Sequence, residues 1–168
     1  MDSTGLVRNS GRGKTGDEES ALVRIDIGYE GNLHCHAIHA PSGKRLETDA
    51  PVDNHGRGEA FSPTDLLATS LGTCMATTMG ILARERGYEI AGLQIVVEKL
   101  MTPPPRRVAR LVVNLTLPAP LGAALDANAR AALQERGDNC PVRLSLLPAI
   151  EVPIRYDWDG GSASGAPT

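Results

Sequence analysis

Between Asp65 and Arg84 the chain runs for eighteen residues without a charged side chain. Few features restrict a fold more, because a helix that is uncharged on every side has to be covered on every side. The segment opens on a helix-start signature. Ser62 suits the N-cap, Pro63 the first helical position, and Asp65 the third, an acidic group at the positive end of the dipole. Gly87 supplies the stop after Arg86. The spacing predicts one helix over residues 63–86. A membrane span is the competing reading, and it wants about 20 apolar residues. This segment is shorter and holds Thr69, Ser70, Gly72, Thr73, Thr77, Thr78 and Gly80. A long central helix buried in a soluble core fits better. One sheet covers one face of such a helix, so the rest needs another helix or a partner subunit.

The flanking sequence reads as strands. Residues 21–29, 33–40 and 44–48 form a meander, with turns at Glu30-Gly31-Asn32 and Pro41-Ser42-Gly43. Residues 53–60 are a polar loop. Residues 92–101 and 108–117 form a hairpin joined by Thr102-Pro103-Pro104-Pro105-Arg106, since prolines do not sit in a central strand. Leu111, Val113, Leu115 and Leu117 alternate along its second strand and define an apolar face. A second helix is expected over residues 123–136, closed by Gly137, then a short helical turn over 141–147 and a last strand over 151–158. The order βββ-α-ββ-α-β is that of an α+β domain. By composition, residues 1–20 read as a disordered arm and 159–168 as a flexible tail, leaving 21–158 as the folded unit.

Seventeen basic against twenty acidic residues give a formal net charge of −3, with no basic excess to meet nucleic-acid phosphates. Five aromatic residues in 168 make stacking on bases or sugars an unlikely binding mode and imply an aliphatic core. The first twenty residues hold no apolar run, so no secretory signal is expected. Three cysteines do not make a secreted disulfide framework, and a reducing, cytoplasmic setting is expected.

Cys74 falls in the middle of the uncharged helix, with Ser70, Thr77 and Thr78 on the same face. A hydroxyl-lined face suits a thiol that meets a polar substrate; the alternative is a small buried hydrophobe. Cys74 is about three turns in, beyond the reach of the helix dipole. A reactive thiol there needs a nearby cation, for which arginine is the natural choice. Cys140, in Gly137-Asp138-Asn139-Cys140-Pro141, precedes a helical turn whose amides can point at a thiolate. Two thiols in these settings suggest a peroxidatic and a resolving cysteine; the alternative is two unrelated thiols. In His34-Cys35-His36 the two histidines share one face of a strand. Zinc needs a third and usually a fourth ligand. His39 faces the other way and His55 lies in a distant loop, so no metal site is expected.

Ser62-Pro63-Thr64-Asp65-Leu66-Leu67, then Leu71-Gly72-Thr73-Cys74, then Cys140-Pro141-Val142, resemble the OsmC/Ohr family of thiol peroxidases. Ser42-Gly43 and Thr48-Asp49-Ala50-Pro51 fit the same family, and the resemblance spans residues 21–158. It implies the OsmC-like fold and an intertwined homodimer with the long helices packed centrally and active sites at the subunit interface. It also implies reduction of an organic hydroperoxide by Cys74, a disulfide with Cys140, and regeneration by a dithiol such as a lipoylated protein. No metal or organic cofactor, nucleic acid or membrane is implied.

The sequence departs from the peroxidase branch at one place. That branch carries Glu directly after the helix-start Pro, paired with an activating Arg, whereas Thr64 stands here and the acid comes next, at Asp65. Asp65 and Cys74 lie on opposite faces, about 13.5 Å apart along the axis. Asp65 therefore reaches a thiol only across a dimer or through other groups, and its N3 position gives it a structural role. Arg45 and Arg57 are the candidate activating cations, with Glu59 as the alternative acid. The second reading is an OsmC-fold dimer without peroxidase activity, acting as a binding or structural module.

Overall fold

A computed structural model describes residues 22–160. The expected arm at 1–20 and the tail from 161 onward lie outside the described residues. Strands β1 (Ile25–Gly31), β2 (His34–His39) and β3 (Lys44–Asp49) form an antiparallel sheet in that order. A 3-10 turn over Val52–Asn54 leads to helix α1 (Pro63–Arg86). Strands β4 (Gln94–Met101) and β5 (Val108–Thr116) pair antiparallel, and β6 (Ile154–Asp157) adds to β5 in parallel. A parallel neighbour demands a crossover. The chain supplies it with α2 (Ala119–Ala123), α3 (Ala127–Asp138) and α4 (Pro141–Leu144).

Helix α1 starts as its sequence dictates. The Ser62 hydroxyl accepts from the Asp65 amide at 3.2 Å, and the Asp65 carboxylate accepts from the Ser62 amide at 2.8 Å. This reciprocal box satisfies two amides that the helix itself leaves unpaired. Gly87 closes the helix in the left-handed region, at φ 70°.

The second helix differs from the expected 123–136. The chain breaks before Asp126, whose carboxylate accepts from the Ala129 amide at 2.7 Å and caps α3. An aspartate gains more as a cap than inside a helix. Gly137 does not close the helix. It lies inside α3, where a Cβ would come within 2.9 Å of the Tyr156 hydroxyl and 3.1 Å of Met79 Sδ. The glycine serves close approach, and Asn139 takes the C-cap. The last strand is shorter than expected, with Glu151 making only an isolated bridge to Arg110 before Pro153 interrupts.

The core is drawn from α1, the second sheet and the crossover. Leu71, Met75, Met79, Leu111, Val113, Leu117 and Leu133 are fully buried, and no apolar side chain of β1–β3 joins them. Alternation along β5 places Leu111, Val113 and Leu115 inward. Helix α1 is covered by the second sheet on one side and by α3 and α4 on another. Thr69, Ser70, Thr73, Thr77 and Ile81 form its open side within the chain.

Candidate active site

Cys74 sits at mid-α1 and is half-buried, while Cys140 is fully buried as the residue that opens α4. All three cysteines are free thiols. The Cys140 thiol has the Cys74 thiol as a neighbour. The crossover between β5 and β6 thus brings together two residues 66 positions apart in sequence. Burial pushes the Cys140 thiol up, and the adjacent Cys74 sulfur pushes in the same direction. The amides of Val142 and Arg143 oppose this from the first turn of α4, without making a full cap hydrogen bond.

The hydroxyls near Cys74 are occupied within the helix. Ser70 donates to the Leu66 carbonyl at 2.7 Å, Thr77 to that of Thr73 at 2.8 Å, and Thr78 to that of Cys74 at 3.0 Å. Such back-bonding turns the protons inward and leaves methyl and methylene groups outside. The face next to Cys74 is consequently less polar than its composition reads.

Behind Cys140 lies a cluster absent from the sequence reading. Tyr156 donates to Asp138 Oδ1 at 2.9 Å and stacks on Trp158, with ring centroids 5.6 Å apart. Burial, then the bond to Asp138, pushes the Tyr156 phenol well above its ordinary value. Arg143 donates through Nη1 to the Asp138 carbonyl at 2.7 Å, and its Nε is buried without a partner. The available signal was positional: Arg143 follows Cys140 by three residues, one helical turn.

The other expected groups lie elsewhere. Arg45 bonds Glu30 at 3.0 Å and Glu47 at 3.2 Å on the first sheet. Arg57 pairs with Glu59 at 3.4 Å and approaches Asp49 at 3.7 Å. Asp65 takes Lys99 Nζ at 2.6 Å, and the same ammonium reaches the Thr64 hydroxyl at 2.8 Å. Burial alone would raise the Asp65 carboxyl, but Lys99 and Ser62 outweigh it and hold the group below its ordinary range. Lys99 was not anticipated, because β4 meets the start of α1 only in three dimensions.

His34 and His36 share a face, as alternation requires, and both turn to carboxylates. His34 Nδ1 lies 2.6 Å from the buried Asp49, and His36 Nδ1 lies 2.6 Å from Glu30, a contact without hydrogen-bond geometry. Asp49 is held below its ordinary value, first by the His34 hydrogen bond. Cys35 points to the opposite face, into a pocket of about 410 Å³ that Tyr29, Thr48 and Arg106 also line. A larger groove of about 890 Å³ runs between α1 and β4, past Asp65, Gly72, Ile95, Val97 and Lys99. Gly72 and Cys74 are about 200° apart around the helix, so this groove lies on the side away from the thiol pair.

The sequence profile of the OsmC-like proteins matches residues 56–155. An osmotic stress induced and detoxification response protein of Psychrobacter arcticus is 40% identical over 81% of this chain and 96% of its own, with a TM-score of 0.74. The chain belongs to the OsmC-like family. Among more distant OsmC-like folds, the organic hydroperoxide resistance protein OsmC of Legionella pneumophila is 15% identical, covering 82% of this chain and 98% of its own at a TM-score of 0.64. An organic hydroperoxide resistance protein of Vibrio cholerae, solved with captopril in one of its active sites, is 15% identical at a TM-score of 0.64, covering 83% and 95%. At this identity the likeness establishes the fold alone. No curated protein matches the sequence significantly. Within this OsmC-like chain the family profile takes in both Cys74 and Cys140.

Proposed function

We propose that this OsmC-like protein reduces organic hydroperoxides through Cys74 and Cys140. The observation that carries the reading is the neighbouring pair of free thiols, one half-buried and one fully buried. Cys74, as thiolate, attacks the outer peroxide oxygen, so that the O–O bond breaks and the alkoxide leaves as alcohol after taking a proton. Cys74 becomes a sulfenic acid. Cys140 attacks that sulfur, its thiol proton leaves with the hydroxide as water, and a Cys74–Cys140 disulfide forms. A dithiol reductant, such as a lipoylated protein, restores both thiols by exchange. A reducing, cytoplasmic compartment suits this cycle.

The unit of function in this reading is a homodimer. Ile25, Ile27 and Tyr29 of β1 share one face of the first sheet with Ala37 of β2 and Leu46 of β3. That face is open, with Ile27 73% and Tyr29 66% exposed. The open hydroxyl side of α1 and the groove along β4 complete the surfaces a second copy would cover. Such a copy would also carry Arg45, Arg57 and Glu59 toward the thiols of its partner.

One observation favours the second reading, a dimer without peroxidase activity. Thr64 carries no carboxylate and that of Asp65 is bound to Lys99, so the start of α1 offers no free acid to an activating arginine. Turnover of cumene hydroperoxide with a dithiol reductant separates the two. Native protein is expected to consume peroxide stoichiometrically with dithiol. Cys74→Ser is expected to fall by at least about a hundredfold, on the scale of losing a nucleophile. Undiminished turnover in that variant removes the peroxidase reading.

A further inference from the structure

Cys35 has no part in the proposed cycle, yet it lines a pocket that a separate loop helps to wall. That loop is the strap between β3 and α1. It leaves the first sheet at Ala50 and returns at Phe61, where the Asp49 amide donates to the Phe61 carbonyl at 3.2 Å and ties its ends together. A surface loop with closed ends is a compact Ω-like unit. None of residues 50–61 is buried, so the strap has no core residue of its own.

Two latches hold it, and they differ in kind. At the base, Asp49 is buried. One carboxylate oxygen accepts from the Glu59 amide at 3.0 Å, and the other lies 2.6 Å from His34 Nδ1. Bonds to a buried, ionised carboxylate are strong. At the tip, Asp53 accepts from Arg106 Nη2 at 2.7 Å, across to the turn between β4 and β5. Among the described residues this is the only side-chain bond from the Val52–Asn54 turn to that hairpin. Both partners are solvent-exposed, Asp53 65% and Arg106 38%. Such a pair is weak and sensitive to salt. His55 follows the tip at φ 63°, a left-handed conformation that a residue other than glycine adopts at a cost. Both latches border one pocket. Asp49 and Arg106 line it together with Pro51, Asn54, Met101 and Cys35, and its volume of about 410 Å³ is that of a small-ligand site.

We propose that the 50–61 strap is a hinged lid on the Cys35 pocket, with its base fixed at Asp49 and its tip opening when Asp53 and Arg106 part. Leu33, Ala50, Pro51, Pro63 and Met101 give the pocket a largely apolar wall. The open lid therefore admits small, uncharged, mainly apolar molecules. It is independent of the thiol chemistry of Cys74 and Cys140.

Cys35 serves as the reporter in the test. The full chain is treated with N-ethylmaleimide, a small neutral probe, and the rate at Cys35 is read by peptide mass spectrometry. Asp53→Asn and Arg106→Gln are each expected to raise that rate about threefold, the scale of losing one exposed ion pair. The two substitutions change the local charge in opposite directions, so an acceleration shared by both comes from opening and not from altered thiol acidity. The exchanged pair, Asp53→Arg with Arg106→Asp, is expected to bring the rate back to within about twofold of native. Raising NaCl to about 0.5 M is expected to accelerate native labelling about twofold and to leave both single variants unchanged. Amide exchange at Glu59, followed by NMR, is expected to be as slow in Asp53→Asn as in native protein. Equal Cys35 rates in native protein and the single variants overturn the lid, and so does acceleration in only one of them. A native rate already equal to that of free glutathione overturns it as well. Fast exchange at Glu59 in Asp53→Asn overturns the fixed base and with it the hinge.

Discussion

The first sheet leaves Ile25, Ile27, Tyr29 and Leu46 open to solvent, whereas the second buries Leu111, Val113 and Leu115 beneath α1. Both are three-stranded, and both alternate apolar with polar residues. The difference is what the chain itself supplies as cover. The second sheet receives a long helix and a helical crossover. The first carries a polar network on one face, where His34, His36, Glu30, Arg45 and Asp49 pair among themselves, and on the other the chain covers only the end at Cys35 and Thr48. The half-exposed Glu30–Arg45 pair contributes little to stability, and only the His34–Asp49 pair of this network is buried. The second sheet therefore supports the fold and the thiols, while the first presents a surface.

The sharpest way to break this contrast is to attack the covered half. Leu71 is fully buried where α1 meets the second sheet. Leu71→Ala is expected to cost about 2–5 kcal/mol, the sum of lost transfer energy and the cavity left behind. Urea denaturation gives the number. Because Cys74 sits on the same helix, diamide closure of Cys74–Cys140 should slow in parallel.

A smaller effect is expected where the two halves meet, at the start of α1. Asp65 caps the helix and holds Lys99 of β4. Asp65→Ala is expected to cost about 1–2 kcal/mol, as losing a cap and a charge-assisted bond does. The pH dependence has a definite sign. The folded carboxyl sits below its ordinary 3.8, so its stabilising contribution is complete above that value and is lost as pH falls through the lower, folded one. Thermal melts from pH 7 to pH 3 should therefore fall more steeply for the native chain than for Asp65→Ala. Equal slopes would remove Asp65 from the account of acid stability.

This boundary also marks how far sequence carries. The α1 cap was legible in Ser62, Pro63 and Asp65 because capping is local, and Gly87 was legible as a stop for the same reason. Gly137 read equally well as a stop, yet it lies inside α3, since what it answers is the Tyr156 hydroxyl from a distant strand. The break at Asp126 carried a local signal that the Ala- and Leu-rich run around it masked. At the site, Cys74 and Cys140 were legible as thiols in suitable settings. Asp138 and Arg143 lie within three residues of Cys140, but Tyr156 reaches Asp138 only through the β5–β6 pairing, and parallel pairing leaves no short-range mark in a sequence. Arg45 and Arg57 have the charge and position of an activating cation, but in the folded chain carboxylates hold both, Glu30 and Glu47 for Arg45 and Glu59 for Arg57.

The smallest expected effect lies on the open face and discriminates best. Ile27 is 73% exposed, and little apolar area is lost by removing it from one chain. In dilute protein, Ile27→Ala should change unfolding free energy by less than about 0.5 kcal/mol, as surface substitutions usually do. The contrast between the sheets then holds within one chain. If a second copy covers this face, the same substitution costs more, and the loss depends on protein concentration, because association stabilises the folded state by mass action. Unfolding of native and Ile27→Ala protein over a hundredfold concentration range, beside sedimentation velocity, separates these cases. A concentration-dependent gap moves the first sheet from a presented surface to a buried one. A constant gap near zero leaves it open and counts against the homodimer on which the proposed delivery of Arg45 and Arg57 depends.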